Sequence, residues 1–405
     1  MISGRRHPAR GRRRAVFQGL AALALLALTL SGCTAARGTD PDTGTARTPG
    51  TADAAPLGPE WSADPVAADA TRRLAAMTLT EKVASLLMLH QPGTDAAALR
   101  SFAAVNGLGG LILMGDNVPA SPEEMRAMTD ALSPDPDFPL LLGIDQEGGE
   151  VSRLPADLAP GAAQLQTLPA QATEEAFHSR SALLESVGVN VNFGIVADVT
   201  ADPGSFLAGR VLGTDPASAS ARVAAAVAGE RGQVLSTLKH FPGHGAAPGD
   251  SHRSIPTTPL GFQDWLTREA PPFQAGIDAG AELVMFGHLA YPSVDPRPAS
   301  LSPAWHEILR TELGFDGVTI TDDLLMLQDS GLPEYADPAE NGIAALAAGN
   351  TMLLYVLPAN PEQYGTDVTE LIGRIVGAVD SGRLPPEQVD EAAYKLLVLR
   401  GHAAR

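Results

Sequence analysis

Residues 234–245 have the sequence VLSTLKHFPGHG, in which a short, largely apolar run passes directly into a lysine, two histidines and a Pro-Gly pair. Similar runs, each bounded by loop-forming residues, recur along the chain. The candidate strands are Val83–Leu89, Gly110–Met114, Leu140–Ile144, Val189–Phe193, Val234–Leu238, Leu283–Phe286, Val318–Thr321 and Met352–Val356. Strands that are apolar along their length, rather than alternating, are typical of a parallel sheet covered on both faces.

Amphipathic stretches with helical spacing separate or follow these runs. They are Pro122–Leu132, Glu174–Ser186, Pro216–Glu230, Phe262–Asp278, Pro303–Leu313, Ala336–Ala348, Gln363–Ser381 and Pro386–Ala403. Eight strands that alternate with helices predict an α/β fold, a single-domain (β/α)8 TIM-type barrel, with a doubly wound sheet as the alternative. The run Val83–Leu89 follows Thr-Glu-Lys and also suits a helix.

Polar residues follow five of the candidate strands. They are Asp145–Gly149 after the third strand, Asp198 after the fourth, Lys239–Gly245 after the fifth, His288 after the sixth, and Asp322 with Asp323 after the seventh. In a (β/α)8 barrel the segments that follow the strands meet at one rim, where active sites are found. We therefore expect these side chains to line a polar pocket.

Asp322 comes directly off the run Val318–Thr321, so rigid backbone would hold its carboxylate at the top of the barrel. This placement suits a nucleophile or an electrostatic stabiliser. An aspartate here also suits the N-terminal cap of the next helix. We expect Asp322 to carry the chemistry and Asp323 to take a supporting role.

Asp250 lies two residues before His252 in the Gly/Pro-rich loop 243–256. A carboxylate bound to one ring nitrogen raises the basicity of an imidazole and leaves the other nitrogen to move a proton. The same sequence also suits a surface turn. Lys239 ends an apolar run, which favours a role toward a ligand, whereas nothing local distinguishes Arg153 and Arg210 from surface residues.

The three histidines His240, His244 and His252 suggest a zinc site, but HxxxH spacing requires a helix. Pro242 and Gly243 lie within that spacing and oppose a helix there, so we expect no metal.

The amino terminus has the pattern of an export signal. Residues 1–32 contain six arginines and no acid, and include an apolar run from Ala15 to Leu30 that is short for a membrane span. The segment Leu30-Ser31-Gly32-Cys33 resembles a bacterial lipobox, which predicts lipidation of Cys33, the only cysteine. Arg13-Arg14 resembles a twin-arginine signal, and the general secretory route is the alternative.

Residues 33–62 are rich in Thr, Ala, Gly and Pro and predict a flexible linker, which leaves residues 63–405 for the barrel. The net charge of −19 becomes −25 without the six arginines, so a nucleic-acid partner is excluded by charge. We expect a monomer anchored by lipid at the extracytoplasmic face of the cell membrane, or in part secreted.

Four segments together resemble the motifs of glycoside hydrolase family 3, in its bacterial single-domain β-N-acetylglucosaminidase (NagZ-type) branch. Lys239–Gly245 followed by Asp250-Ser251-His252 resembles the family signature. Gly143–Leu154 resembles its DQEGG segment, and Leu313–Leu324 resembles its segment with two consecutive aspartates. The loop Gly209–Pro216 is similar to its arginine-bearing loop.

The resemblance implies that Asp322 is the nucleophile and His252 the general acid/base, oriented by Asp250. The residues that it implies for sugar binding are Asp145, Arg153, Arg210, Lys239 and His240. The implied reaction is removal of non-reducing terminal β-linked N-acetylglucosamine (GlcNAc) from cell-wall or chitin-type fragments, with retention and without a cofactor.

Two alternatives remain open from the sequence. A histidine in place of a second carboxylate lowers the negative charge of the pocket, so phosphate could replace water and make the protein a phosphorylase. The other alternative is a catalytically silent lipoprotein that binds cell-wall sugar.

Overall fold

The computed structural model describes residues 65–403, apart from 134 and 136. The predicted export signal, Cys33 and the linker 33–62 lie outside these residues. The strands are β1 Leu87–Leu89, β2 Gly110–Leu113, β3 Leu141–Ile144, β4 Gln146–Gly148, β5 Val151–Ser152, β6 Val191–Val196, β7 Leu235–Phe241, β8 Leu283–Phe286, β9 Ala290–Tyr291, β10 Asp295–Pro298, β11 Val318–Thr321 and β12 Leu353–Tyr355.

Helices separate the strands. They are α1 Pro65–Ala76, α2 Leu79–Ser85, α3 Ala96–Asn106, α4 Pro122–Leu132, α5 Ala162–Leu165, α6 Ala170–Ser186, α7 Pro216–Glu230, α8 Phe262–Arg268, α9 Ala270–Asp278, α10 Pro303–Thr311, α11 Leu325–Asp329, α12 Pro338–Ala348, α13 Val368–Asp380 and α14 Pro386–Ala403. Within residues 65–403, none of these helices has the length and apolarity needed to cross a membrane.

The described residues contain one eight-stranded parallel sheet, in the order β11-β8-β7-β6-β3-β2-β1-β12. Its two edge strands meet, because Ile320 and Met352 form a bridge and the Thr321 N–H donates to the Met352 carbonyl at 3.2 Å. The sheet is thus a (β/α)8 TIM-type barrel, as predicted, and the doubly wound alternative is wrong. Two short antiparallel hairpins, β4–β5 and β9–β10, lie outside the barrel sheet.

The prediction of one strand over Val83–Leu89 is wrong in its first half. Residues Leu79–Ser85 form α2, and only Leu87–Leu89 are extended. The Thr78 side chain accepts the Glu81 N–H while the Glu81 carboxylate accepts the Thr78 N–H, a capping box that starts the helix. The apolar residues Val83 and Ala84 are therefore buried on a helix face.

Strand β7 is longer than predicted and continues through Lys239 and His240 to Phe241. The Phe241 ring is buried, with its centroid 4.9 Å from that of Phe286 and 5.3 Å from that of Phe273. Edge-to-face aromatic pairs of this kind add stability beyond the area that they bury. The strand that carries Lys239 and His240 is therefore fixed by an aromatic cluster directly beyond them.

Candidate active site at the barrel rim

Lys239 is the buried centre of an ionic network at the carboxyl ends of the strands. Its side chain is 3% exposed, and Nζ lies 2.9 Å from Asp145 Oδ1 and 2.8 Å from Glu147 Oε1. Burial alone would lower the pKa of Lys239, but the two carboxylates outweigh burial and raise it. Lys239 therefore remains a cation at neutral pH.

Asp145 follows β3 and is held between two cations, Lys239 and Arg153. Arg153 Nη2 lies 3.3 Å from Asp145 Oδ2. Burial would raise the pKa of Asp145, but the charges of Lys239 and Arg153 lower it to about 2. The carboxylate is thus ionised at neutral pH and able to accept hydrogen bonds from hydroxyl groups.

Arg210 joins the network through Glu147, which the sequence placed at the rim without assigning it a role. The Arg210 Nε and Nη2 atoms lie 2.9 and 2.7 Å from the two Glu147 carboxylate oxygens. Burial opposes ionisation of Glu147, but Lys239 and Arg210 lower its pKa overall. A glutamate two residues after Asp145, within the same motif, was the available signal for this role.

His240 is oriented by Asp198, which lies after β6 and is fully buried. His240 Nδ1 lies 2.7 Å from Asp198 Oδ2, and the backbone N–H groups of His240 and His244 donate to Asp198 Oδ1. The hydrogen bond at Nδ1 leaves Nε2 as the ring nitrogen for a ligand. Asp198, expected at the rim, therefore acts by positioning His240.

His244 is buried, and burial lowers the pKa of its imidazole to about 4, so the ring is neutral at physiological pH. Within residues 65–403, no three His, Cys, Asp or Glu residues are grouped so that they could hold a metal ion.

Asp322 lies at the end of β11, where its N–H donates to the Phe286 carbonyl at 2.8 Å. Its Oδ1 accepts the Asp323 N–H at 2.8 Å. Burial would raise the pKa of Asp322, but the His240 and His288 rings are the largest of several influences that lower it. Asp322 is therefore a carboxylate at neutral pH and shares the rim with His240.

Asp323 has a structural role instead, because its carboxylate binds the backbone of two neighbouring segments. Its Oδ1 accepts the N–H groups of Leu325 and Val356, each at 3.0 Å. Burial raises the pKa of Asp323 to about 7. His288 supports the same segment, with Nε2 2.8 Å from the Asp323 carbonyl oxygen and Nδ1 2.7 Å from Ser300 Oγ.

Asp250 and His252 form the predicted pair, with His252 Nδ1 2.7 Å from Asp250 Oδ1. Their side chains are 40% and 63% exposed. Burial opposes ionisation of Asp250, but its hydrogen bonds with His252 lower its pKa overall. The pair therefore presents His252 Nε2 on an exposed loop, whereas the Lys239 network is buried.

The loop that carries this pair is anchored at both ends. At its start, Trp265 Nε1 donates to the Pro242 carbonyl at 2.7 Å, and the Tyr291 hydroxyl donates to the Gly243 carbonyl. At its end, the Thr258 N–H donates to the Ala290 carbonyl at 3.1 Å. The intervening segment is thus tied to the rim at two points.

The barrel rim thus carries an ionised aspartate at a strand end, a buried network of fixed charges and an imidazole–carboxylate pair, which are groups able to supply a nucleophile, hydrogen-bonding partners and a proton donor. The family model described as "Glycosyl hydrolase family 3 N terminal domain" matches residues 78–399. The chain belongs to glycosyl hydrolase family 3 and is a glycosyl hydrolase, as the sequence motifs predicted.

Three similar proteins illustrate the relationship. A beta-hexosaminidase from Methylococcus capsulatus is 34% identical over 296 residues, which cover 70% of this chain and 86% of that protein. Beta-hexosaminidase LpqI from Mycobacterium tuberculosis is 31% identical over 377 residues, which cover 89% and 92% of the two chains. A family 3 β-N-acetylglucosaminidase structure from Paenibacillus superposes with a TM-score of 0.74 at 31% identity, covering 81% of this chain and 64% of that longer chain.

Proposed function

We propose that this chain is an exo-acting β-N-acetylglucosaminidase that removes non-reducing terminal GlcNAc from cell-wall or chitin-type fragments. The observation that carries the proposal is the ionised Asp322 carboxylate at the end of β11, beside His240 and the Lys239 network. Two relatives are named beta-hexosaminidases and the Paenibacillus structure is named a β-N-acetylglucosaminidase, and these names support GlcNAc as the sugar.

In the first step, a carboxylate oxygen of Asp322 attacks the anomeric carbon and the bond from that carbon to the leaving oxygen breaks. His252, protonated on both nitrogens, gives its Nε2 proton to the leaving oxygen. Asp250 accepts the remaining Nδ1–H at 2.7 Å and so stabilises the imidazolium beforehand. The products are a glycosyl-enzyme ester on Asp322 and the released alcohol.

In the second step, a water molecule attacks the same carbon from the face that the alcohol left. His252 Nε2 takes a proton from the water, and the ester bond to Asp322 breaks. Two displacements at one carbon retain the β configuration. His252 ends the cycle protonated, ready for the next substrate.

The sugar itself is proposed to bind Asp145, Arg153, Arg210, Lys239 and His240. Asp145 is an acceptor for hydroxyl groups, since its pKa of about 2 keeps it ionised. The guanidinium groups and Nζ are donors only, so donors and acceptors are both present for a neutral polyhydroxyl ring.

Phosphorolysis is a second candidate, favoured by one observation. The proposed acid/base is an imidazole that is 63% exposed, not a second carboxylate. An anionic acceptor therefore meets less repulsion on its approach to the glycosyl-enzyme than it would between two carboxylates.

The test is turnover of a chromogenic β-N-acetylglucosaminide by the full chain, with product analysis in the presence and absence of phosphate. Free GlcNAc in both conditions supports the hydrolase, and GlcNAc 1-phosphate formed with phosphate supports the phosphorylase. GlcNAc binding without turnover would contradict both enzyme proposals and leave a sugar-binding protein.

We also propose that Cys33 carries the lipid that anchors the enzyme outside the cytoplasm, on the strength of the lipobox-like sequence. Metabolic labelling with a fatty acid should mark the wild type and not C33A, and C33A should leave the membrane fraction. Equal labelling of both proteins would contradict the anchor.

A further inference from the structure

A fully buried arginine lies behind the proposed sugar site. Arg180, on α6, has an exposed fraction of 0%, and its Nε donates to Asp157 Oδ2 at 2.7 Å. A second nitrogen, Nη2, donates to the Pro160 carbonyl at 3.3 Å. Burying an ion pair costs several kcal/mol per charge, and apolar replacements are often as stable. Stability is therefore a weak explanation for this pair.

A chain of hydrogen bonds leads from Arg180 to the backbone of Arg153. Asp157 Oδ2, which accepts from Arg180, also accepts Gln146 Nε2 at 2.8 Å. Gln146 is fully buried, and its Oε1 accepts the N–H groups of Arg153 and Leu154 at 2.8 and 3.0 Å. Two side chains thus connect the buried guanidinium to the residue that reaches Asp145.

The same guanidinium packs directly on the hairpin that carries this motif. A Cβ atom placed on Gly148, which has φ +82°, would lie 2.0 Å from Arg180 Nη2. The hairpin backbone and Arg180 therefore fit together only because residue 148 has no side chain. Displacement of Arg180 would leave strand β4 without its support on that face.

The Arg153 guanidinium has few contacts of its own. Its Nε is buried and has no hydrogen-bond partner among residues 65–403, and the bond from Nη2 to Asp145 is long, at 3.3 Å, while the side chain as a whole is 30% exposed. With so few contacts of its own, this guanidinium takes its orientation mainly from the backbone at residue 153.

We propose that Arg180 is a positioning residue for sugar binding. Through Asp157 and Gln146 it fixes the backbone at residues 153–154 and so aims the Arg153 guanidinium at the bound sugar. The inference rests on the proposed function, because it requires Arg153 to contact GlcNAc.

The test is a double-mutant cycle in the full chain. R180M and D157N are each made alone and combined with R153A, and kcat and KM are measured on a chromogenic β-N-acetylglucosaminide, with the Kd of GlcNAc. Each single variant should raise KM and the Kd of GlcNAc at least tenfold. In the R153A background the same change should have less than a twofold effect, because the group that it positions is gone.

Two variants, R180K and R222M, separate positioning from general damage. R180K keeps the charge beside Asp157, so its KM should lie between those of the wild type and R180M. Partial unfolding would instead lower kcat in proportion to the folded fraction and leave KM unchanged. R222M is the matched control, since Arg222 on α7 binds the carbonyls of Leu165, Gln166 and Leu168. Its KM should equal that of the wild type.

Equal losses in the wild-type and R153A backgrounds, or a fall in kcat alone, would overturn the positioning role. If R180M does not fold, D157N and R180K give the same cycle. A wild-type enzyme without turnover would contradict the proposed function instead, and the cycle would then be read from the Kd of GlcNAc.

Discussion

Replacing Asp145 by asparagine should destabilise the protein in a pH-dependent way. The pKa of Asp145 falls from its ordinary value of 3.8 to about 2, although burial opposes the fall. At 1.36 kcal/mol per pKa unit, this corresponds to about 2 kcal/mol of net stabilisation, in which the attraction to Lys239 and Arg153 exceeds the cost of burying the charge. Asparagine keeps the shape of the side chain and loses the charge, so D145N removes this interaction.

The sign of the pH dependence follows from the direction of the pKa change. Because folding lowers the pKa, the stabilisation is complete well above pH 3.8 and is lost as the pH falls toward 2. The wild type should therefore exceed D145N in unfolding free energy by about 2 kcal/mol at pH 7 and by about half of that at pH 3.

Urea denaturation followed by fluorescence at pH 7, 5 and 3 measures these differences. D264N is the control, because Asp264 is exposed on α8 and its substitution should change the unfolding free energy by less than about 0.5 kcal/mol. A difference between wild type and D145N that is the same at pH 7 and pH 3 would refute the electrostatic explanation.

Three further substitutions test other parts of the site. H252A should slow substrates with poor leaving groups by about 100-fold or more and spare a dinitrophenyl glycoside, which needs no proton donor; equal losses would count against the acid/base role. K239M leaves Asp145 and Glu147 buried without their shared cation and should lower the unfolding free energy by about 3–5 kcal/mol, and a change below 1 kcal/mol in urea titrations would contradict this. W265F removes the hydrogen bond to the Pro242 carbonyl and should cost about 1–3 kcal/mol, whereas unchanged stability in the same titrations would mean that the bond is not needed.

The site residues that the sequence alone predicted at the rim are those that directly follow a strand. Asp145, Lys239 and Asp322 are polar side chains at the ends of apolar runs, and a parallel barrel brings such ends together. The pairing of Asp250 with His252 was also predictable, because they are two positions apart and the contact is local.

Contacts between distant segments could not be predicted in this way. Glu147 and Arg210 are separated by 63 positions, and Asp157 and Arg180 by 23, so no local pattern links either pair. The sequence left Val83–Leu89 open between strand and helix for a different reason, since the buried face of the helix Leu79–Ser85 makes a continuous apolar run with the strand that follows. A short apolar run does not distinguish a buried strand from a buried helix face.

Covalent trapping of the glycosyl-enzyme tests the central proposal, that Asp322 is the nucleophile. Incubation with 5-fluoro-β-N-acetylglucosaminyl fluoride, followed by mass spectrometry of the intact protein and its peptides, detects the intermediate directly. The wild type should gain the mass of one fluorosugar on the peptide that contains Asp322, and D322A should gain none. Labelling of another residue in the wild type, or of D322A to the same extent, would contradict the assignment.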